Sequence, residues 1–167
     1  MPVFTIIPYD EKYKAKIGQL IINIQNNEFN VPITLDDQPD LNDISAFYQK
    51  ANGNFWLALM HETLVGTIAL IDIGENKGCI RKMFVHNDYR GKELGIARAL
   101  LDTLLVWANT KQMHSIFLGT IERLYAARRF YEKNGFQLID PASLPASFPI
   151  MKVDTHFYFI SLLQELI

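Results

Sequence analysis

A single cysteine, Cys79, stands among 167 residues, so no disulfide can form within the chain and the fold must close on apolar packing. No flanking residue would serve as a base for that thiol, which makes a small buried hydrophobe the expected role. An excess of one charge is also missing. Sixteen Lys and Arg against 18 Asp and Glu leave a net charge of −2, without the broad basic field that nucleic-acid phosphates attract. No apolar run reaches the ~18–20 residues that span a bilayer. The opening MPVFTIIPYDEKYK has no basic leader followed by an apolar stretch and a small-residue cleavage site. The expectation is a cytoplasmic protein with neither nucleic acid nor membrane as partner. The four histidines are scattered without ligand spacing, so no metal is expected.

What is present is a globular balance, 49% apolar and 20% charged, in a length that suits one domain over residues 1–167. A β-branched run over residues 3–7 ends at Pro8 and predicts a strand. Asp10 can cap a helix whose apolar positions Ile17, Leu20, Ile21 and Ile24 recur at helical spacing and which fades near Asn26 and Asn27. Residues 28–43, rich in proline and aspartate, read as a long surface loop, followed by a short helix to Lys50. Strand-like runs over 54–60, 63–73 and 78–85, separated by His61-Glu62 and by residues 75–78, predict an antiparallel meander. A broad apolar face from Leu94 to Ala108 predicts a buried helix over 91–111. A strand over 115–118, a helix over 121–134 closed by Gly135, a strand over 136–139, a proline-rich loop over 140–149 and a strand over 151–160 complete the chain. The order is that of a mixed α/β sheet with helices on its faces.

The strongest chemical signal lies where the third meander strand meets the long helix. Arg90, Gly91, Lys92 and Gly95 cluster at the helix start, where free backbone N–H groups and the positive dipole end form a ready anion site. Glycines allow close approach, and the two cations add charge-assisted donors. The segment is not a phosphate-binding Gly-Lys-Ser/Thr loop, and its glycine spacing differs from a dinucleotide fingerprint.

This segment, Arg90-Gly91-Lys92-Glu93-Leu94-Gly95, resembles the Arg/Gln-x-x-Gly-x-Gly/Ala motif of the GNAT acetyltransferase superfamily. Glu93 stands where the family usually has its first glycine. A second run, Phe130-Tyr131-Glu132-Lys133-Asn134-Gly135-Phe136, looks like the family's helix-to-strand element. Seven positions before its tyrosine many members carry an asparagine, and here Leu124 occupies that place. The resemblance implies a mostly antiparallel sheet of six or seven strands, flanked by about four helices and splayed at its central strands. It further implies acetyl-CoA as co-substrate. Backbone groups of Met83, Phe84 and Val85 would bond the pantetheine, and the run Arg90, Gly91, Lys92, Glu93, Leu94, Gly95, Ile96 and Ala97 would hold the pyrophosphate. Tyr131 would protonate the departing thiolate, a role open to a phenol that stays protonated at neutral pH.

The acceptor implied is a primary amine of a small molecule or peptide. Its base is expected among Glu28, Asp36 and Asp37, with Asp37 also a candidate acceptor contact. Arg81 and Lys82, adjacent on one strand, should face opposite sides, so that one of them reaches the acceptor and holds a carboxylate. His156 and Tyr158 are further candidates for the pocket wall. A homodimer through the late strands or exposed apolar positions is compatible with the pattern. Two other readings use the same features: a catalytically silent acyl-CoA-binding domain lacking a working acid, and an interaction module built on the 28–43 or 140–149 loops.

Overall fold

The computed structural model describes residues 4–162; Val3, the first residue of the expected opening strand, lies outside them. Seven strands form one sheet in the order β1-β2-β3-β4-β5-β7-β6. They are β1 (Phe4–Pro8), β2 (Asn54–Met60), β3 (Thr63–Gly74), β4 (Lys77–Val85), β5 (Ser115–Thr120), β6 (Gln137–Ile139) and β7 (His156–Ser161). Every pairing is antiparallel except β4 with β5. The helices are α1 (Lys14–Ile22), α2 (Ile44–Tyr48), α3 (Ile96–Thr110) and α4 (Tyr125–Lys133).

Alternation in β2 fixes the two layers. Phe55, Leu57 and Leu59 join Ile17, Ile21, Ile44 and Tyr48 under α1 and α2, whereas Trp56, Ala58 and Met60 join Leu100, Leu101 and Leu104 under α3. The β2–β3 and β3–β4 hairpins fall at the expected breaks, with Glu75 and Asn76 at positive φ in the second turn. Cys79 is fully buried among Phe117, Phe148 and Phe157, and burial pushes its thiol up to about 12.

Four expectations change. Residues 91–95 are not helix: α3 begins at Ile96, because Gly91 and Gly95 take φ of 118° and 70°, which a right-handed helix excludes. The last strand starts at His156 rather than at residue 151, since residues 150–155 fold over β5 as a turn held by Asp154. Likewise α4 starts at Tyr125 rather than 121, after a turn at Ile121 to Leu124. Finally, the α1 helix does not fade but widens into a π-helical turn, Asn23–Glu28, with the Phe29 N–H reaching back to Ile24 O at 3.1 Å.

Candidate active site

Between β4 and β5 the sheet is barely closed. Their ladder pairs only Lys77, Cys79 and the residue between them with Ser115–Phe117. From Ile80 and Leu118 onward the strands part, and a cleft of about 180 Å³ opens between them. Met83 and Phe84 line one wall, Leu118, Gly119 and Thr120 the other. Beyond Cys79 the β5-facing edge of β4 has no strand partner, so its backbone groups are free to bond an extended ligand. Of the three residues expected to do so, Val85 differs: its side chain is buried in the α3 core and its carbonyl already accepts Arg90 Nε at 2.8 Å.

The 90–97 segment follows β4, and Arg90 turns back onto the Val85 carbonyl at the end of that strand. Of the backbone N–H groups from Arg90 to Arg98, only that of Gly95 meets a protein acceptor, Gly91 O at 3.2 Å, among the described residues. Gly95 is the N-cap of α3 and offers no side chain to cap it, so the N–H groups of Ile96 and Ala97 also point outward unpaired. Lys92 lies against Lys133 of α4, with Arg129 nearby. Lys92, and less so Arg129, pulls the ammonium of Lys133 below the ordinary lysine range. Cations gathered with no carboxylate paired to them among the described residues, beside an uncapped helix start, suit a multiply charged anion. Glu93 is exposed, so its carboxylate need not face that anion.

Arg90 itself is engaged elsewhere. Both of its terminal nitrogens bond Glu28, Nη2 to Oε1 at 2.7 Å and Nη1 to Oε2, and the guanidinium lies over the Phe29 ring. The carboxylate expected as a base is therefore held by the cation expected at the pyrophosphate. Glu28 is the last residue of the π turn, from which its carboxylate meets Arg90. Asp37 and Asp36 are exposed and line no part of the cleft; Asp37 accepts the Thr34 N–H at 3.0 Å in a local turn.

Tyr131 is buried, lines the cleft, and its hydroxyl makes no hydrogen bond among the described residues. Burial raises its pKa well above the ordinary phenol value, so it remains protonated across the physiological range. Tyr158 is instead a packing residue. Its hydroxyl donates to Glu132 at 2.7 Å and accepts from Arg128 at 3.2 Å, and neither it nor His156 lines the cleft.

The β4 wall of the cleft carries a feature that alternation hides. Ala69 pairs with Arg81 and Thr67 with Phe84, so two β4 residues oppose Ile68. This β-bulge places Lys82 at φ 54°. Lys82 turns to Gln38 and Asp40, and the charge of Arg81 reaches both Lys82 and Tyr48, so the two side chains share a side, contrary to the opposite-face expectation, and both line the cleft. The Thr67 hydroxyl donates to the displaced Lys82 carbonyl at 2.7 Å. Lys82 Nζ is buried against Gln38 Oε1 at 2.5 Å and Asp40 at 3.5 Å, and Tyr48 Oη donates to the same Asp40 at 2.5 Å. Gln38 and Asp40 come from the segment read as a surface loop, yet both are buried, because they satisfy this ammonium. Desolvation lowers Lys82 to about 8, only partly countered by Asp40.

Comparison with known proteins agrees with this fold. Residues 19–136 match the model of the acetyltransferase (GNAT) family. An acetyltransferase of that family from Staphylococcus aureus Mu50 superposes with a TM-score of 0.92 at 41% identity, covering 96% of this chain and all of that one. A Thermoplasma acidophilum N-acetyltransferase solved with coenzyme A shares the fold with a TM-score of 0.75 at 17% identity, over 95% of this chain and 99% of that one. Among curated relatives, N-acetylaspartate synthetase of Xenopus tropicalis is 38% identical over 100 residues, 59% of this chain but 36% of that protein. The chain thus spans about a third of that relative's length. With the splayed strands, the uncapped glycine loop and a family match across most of its length, the chain belongs to the GNAT family of acetyltransferases.

Proposed function

We propose that the protein transfers the acetyl group of acetyl-CoA to a primary amine, by direct attack within a ternary complex. The observation that carries this reading is a loop at residues 90–97 with unpaired backbone N–H groups, which follows the strand whose Met83 and Phe84 line a cleft shared with Tyr131. The diphosphate binds the free N–H groups of this loop with Lys92, and Lys133 joins from α4. The pantetheine runs along the unpaired edge of β4 at Met83 and Phe84, and the thioester reaches Tyr131. Arg81 meets the acceptor. The names of curated relatives, N-acetylaspartate synthetases among them, support an amine acceptor.

The chemistry asks mainly for positioning. The amine nitrogen adds to the thioester carbonyl, the C–S bond breaks, and Tyr131 gives its proton to the leaving sulfur while a proton lost from nitrogen restores it. A phenol with so high a pKa does not ionise beforehand, so the transfer accompanies bond cleavage. Calorimetry with acetyl-CoA and an assay of free thiol release from a panel of amines test the reading. Saturable binding with amine-dependent thiol release is expected; absence of heat at millimolar acetyl-CoA overturns it. Binding without turnover would instead favour the silent acyl-CoA-binding domain.

A further inference from the structure

Two charged groups line the cleft from its two walls without pairing. On the β4 wall, Arg81 is half-buried and has no carboxylate partner among the described residues, whereas its neighbour Lys82 is matched by Asp40. On the opposite wall, Asp154 is the one carboxylate among the residues that line the cleft. Its Oδ2 accepts the Met151 N–H at 3.0 Å, and Oδ1 has no protein donor among the described residues. Gly119 makes the seat for it, since a Cβ there would lie 2.5 Å from Oδ2. Arg81 and Asp154 feel each other's charge, yet no ion pair joins them. A partly desolvated cation and a partly desolvated anion, held apart in one cleft, ask for a ligand that carries both opposite charges.

We infer that the acceptor is a small amino acid bound as a zwitterion, its carboxylate on Arg81 and its ammonium on Asp154. This inference rests on the acetyl-transfer reading above and specifies its substrate. A simple alkylamine would leave Arg81 unmatched, and a polyamine would place a second cation against Arg81 and Lys82. Asp154 also has a chemical task, because an ammonium must lose a proton before its nitrogen can attack. The ammonium passes one proton to Asp154, whose burial favours the protonated acid. The free amine adds to the thioester carbon. As the C–S bond breaks, Tyr131 protonates the sulfur and recovers the second nitrogen proton. The products are the N-acetyl amino acid, free CoA thiol and one proton, which Asp154 releases to solvent.

The test uses the full chain with the twenty amino acids, short ω-amino acids and, for each, the amine bearing hydrogen in place of the carboxylate. Thiol release gives rates, and calorimetry on CoA-loaded protein gives acceptor binding without turnover. At least one amino acid should exceed its matched amine thirtyfold in kcat/KM. Arg81→Gln should raise its KM at least tenfold with kcat within threefold. Asp154→Asn, which keeps an acceptor for the Met151 N–H, should lower kcat at least tenfold with acetyl-CoA affinity within twofold. Thermal unfolding confirms that both variants are folded. Equal use of amino acids and matched amines overturns the inference, as does failure of every amino acid to bind CoA-loaded protein at millimolar concentration. In both cases saturable acetyl-CoA binding leaves the acetyl-transfer reading standing; loss of acetyl-CoA binding by the wild type removes both.

Discussion

Tyr131 and Lys82 show how burial tunes single side chains here. Replacing Tyr131 by Phe removes one oxygen from a packed aromatic cluster with Phe130, Phe136 and Tyr158. The expected outcome is a kcat at least tenfold lower with cofactor affinity within twofold, read by steady-state kinetics and calorimetry. For Lys82 the sign is set by desolvation. The unfolded chain, with its lysine near 10.5, holds more protons than the folded one between about pH 8 and 10.5. The penalty of the buried ammonium is therefore full below pH 8 and fades as pH rises through that window. Relative to Lys82→Met, the wild type should gain about 1 kcal/mol of unfolding free energy from pH 8 to pH 9, measured by urea denaturation. Cys79 gives a third check. Buried and raised to about 12, its thiol should resist an aromatic disulfide reagent at pH 8 until the protein is unfolded.

The elements explain what the sequence disclosed and what it concealed. β2 was legible to the residue because Phe55–Met60 is apolar throughout, the run is bounded by Asn52-Gly53 and His61-Glu62, and it is buried on both sides. Tyr131 and the glycine loop could be picked out because their motifs are local. The bulge at Lys82 was not legible, since nothing in Arg81-Lys82-Met83 departs from strand composition; it exists through the pairing with β3. Burial of Gln38 and Asp40 was hidden for a similar reason: their partner, Lys82, lies more than forty residues away. Asp154 sat in a segment assigned to a strand, and only the turn over Gly119 reveals it. The 90–97 loop yields its own prediction. Lys133→Glu replaces one of the gathered cations by an anion and should weaken acetyl-CoA binding at least fivefold, with a shallower dependence on salt. Tyr131 should hold its packing in that variant, so a lowered thermal midpoint would point to damage in α4 instead.

Taken whole, the molecule is two sheet halves, β1 to β4 and β5 to β6, whose β4–β5 ladder joins only Lys77–Cys79 of one strand to Ser115–Phe117 of the other. Acetyl-CoA lying in the gap would touch both. At a hundredfold excess over Kd it should add about 2.7 kcal/mol of stability and raise the thermal midpoint by roughly 5–10 °C. So brief a ladder also works mechanically as a seam. Pulled apart, the protein should tear first between its N-terminal and C-terminal parts, and a molecule seated in the tear acts as the stitch. Amide protons of Met83 and Phe84 on one edge, and of Leu118 and Thr120 on the other, should then slow in exchange together, although thirty-odd residues of chain separate them.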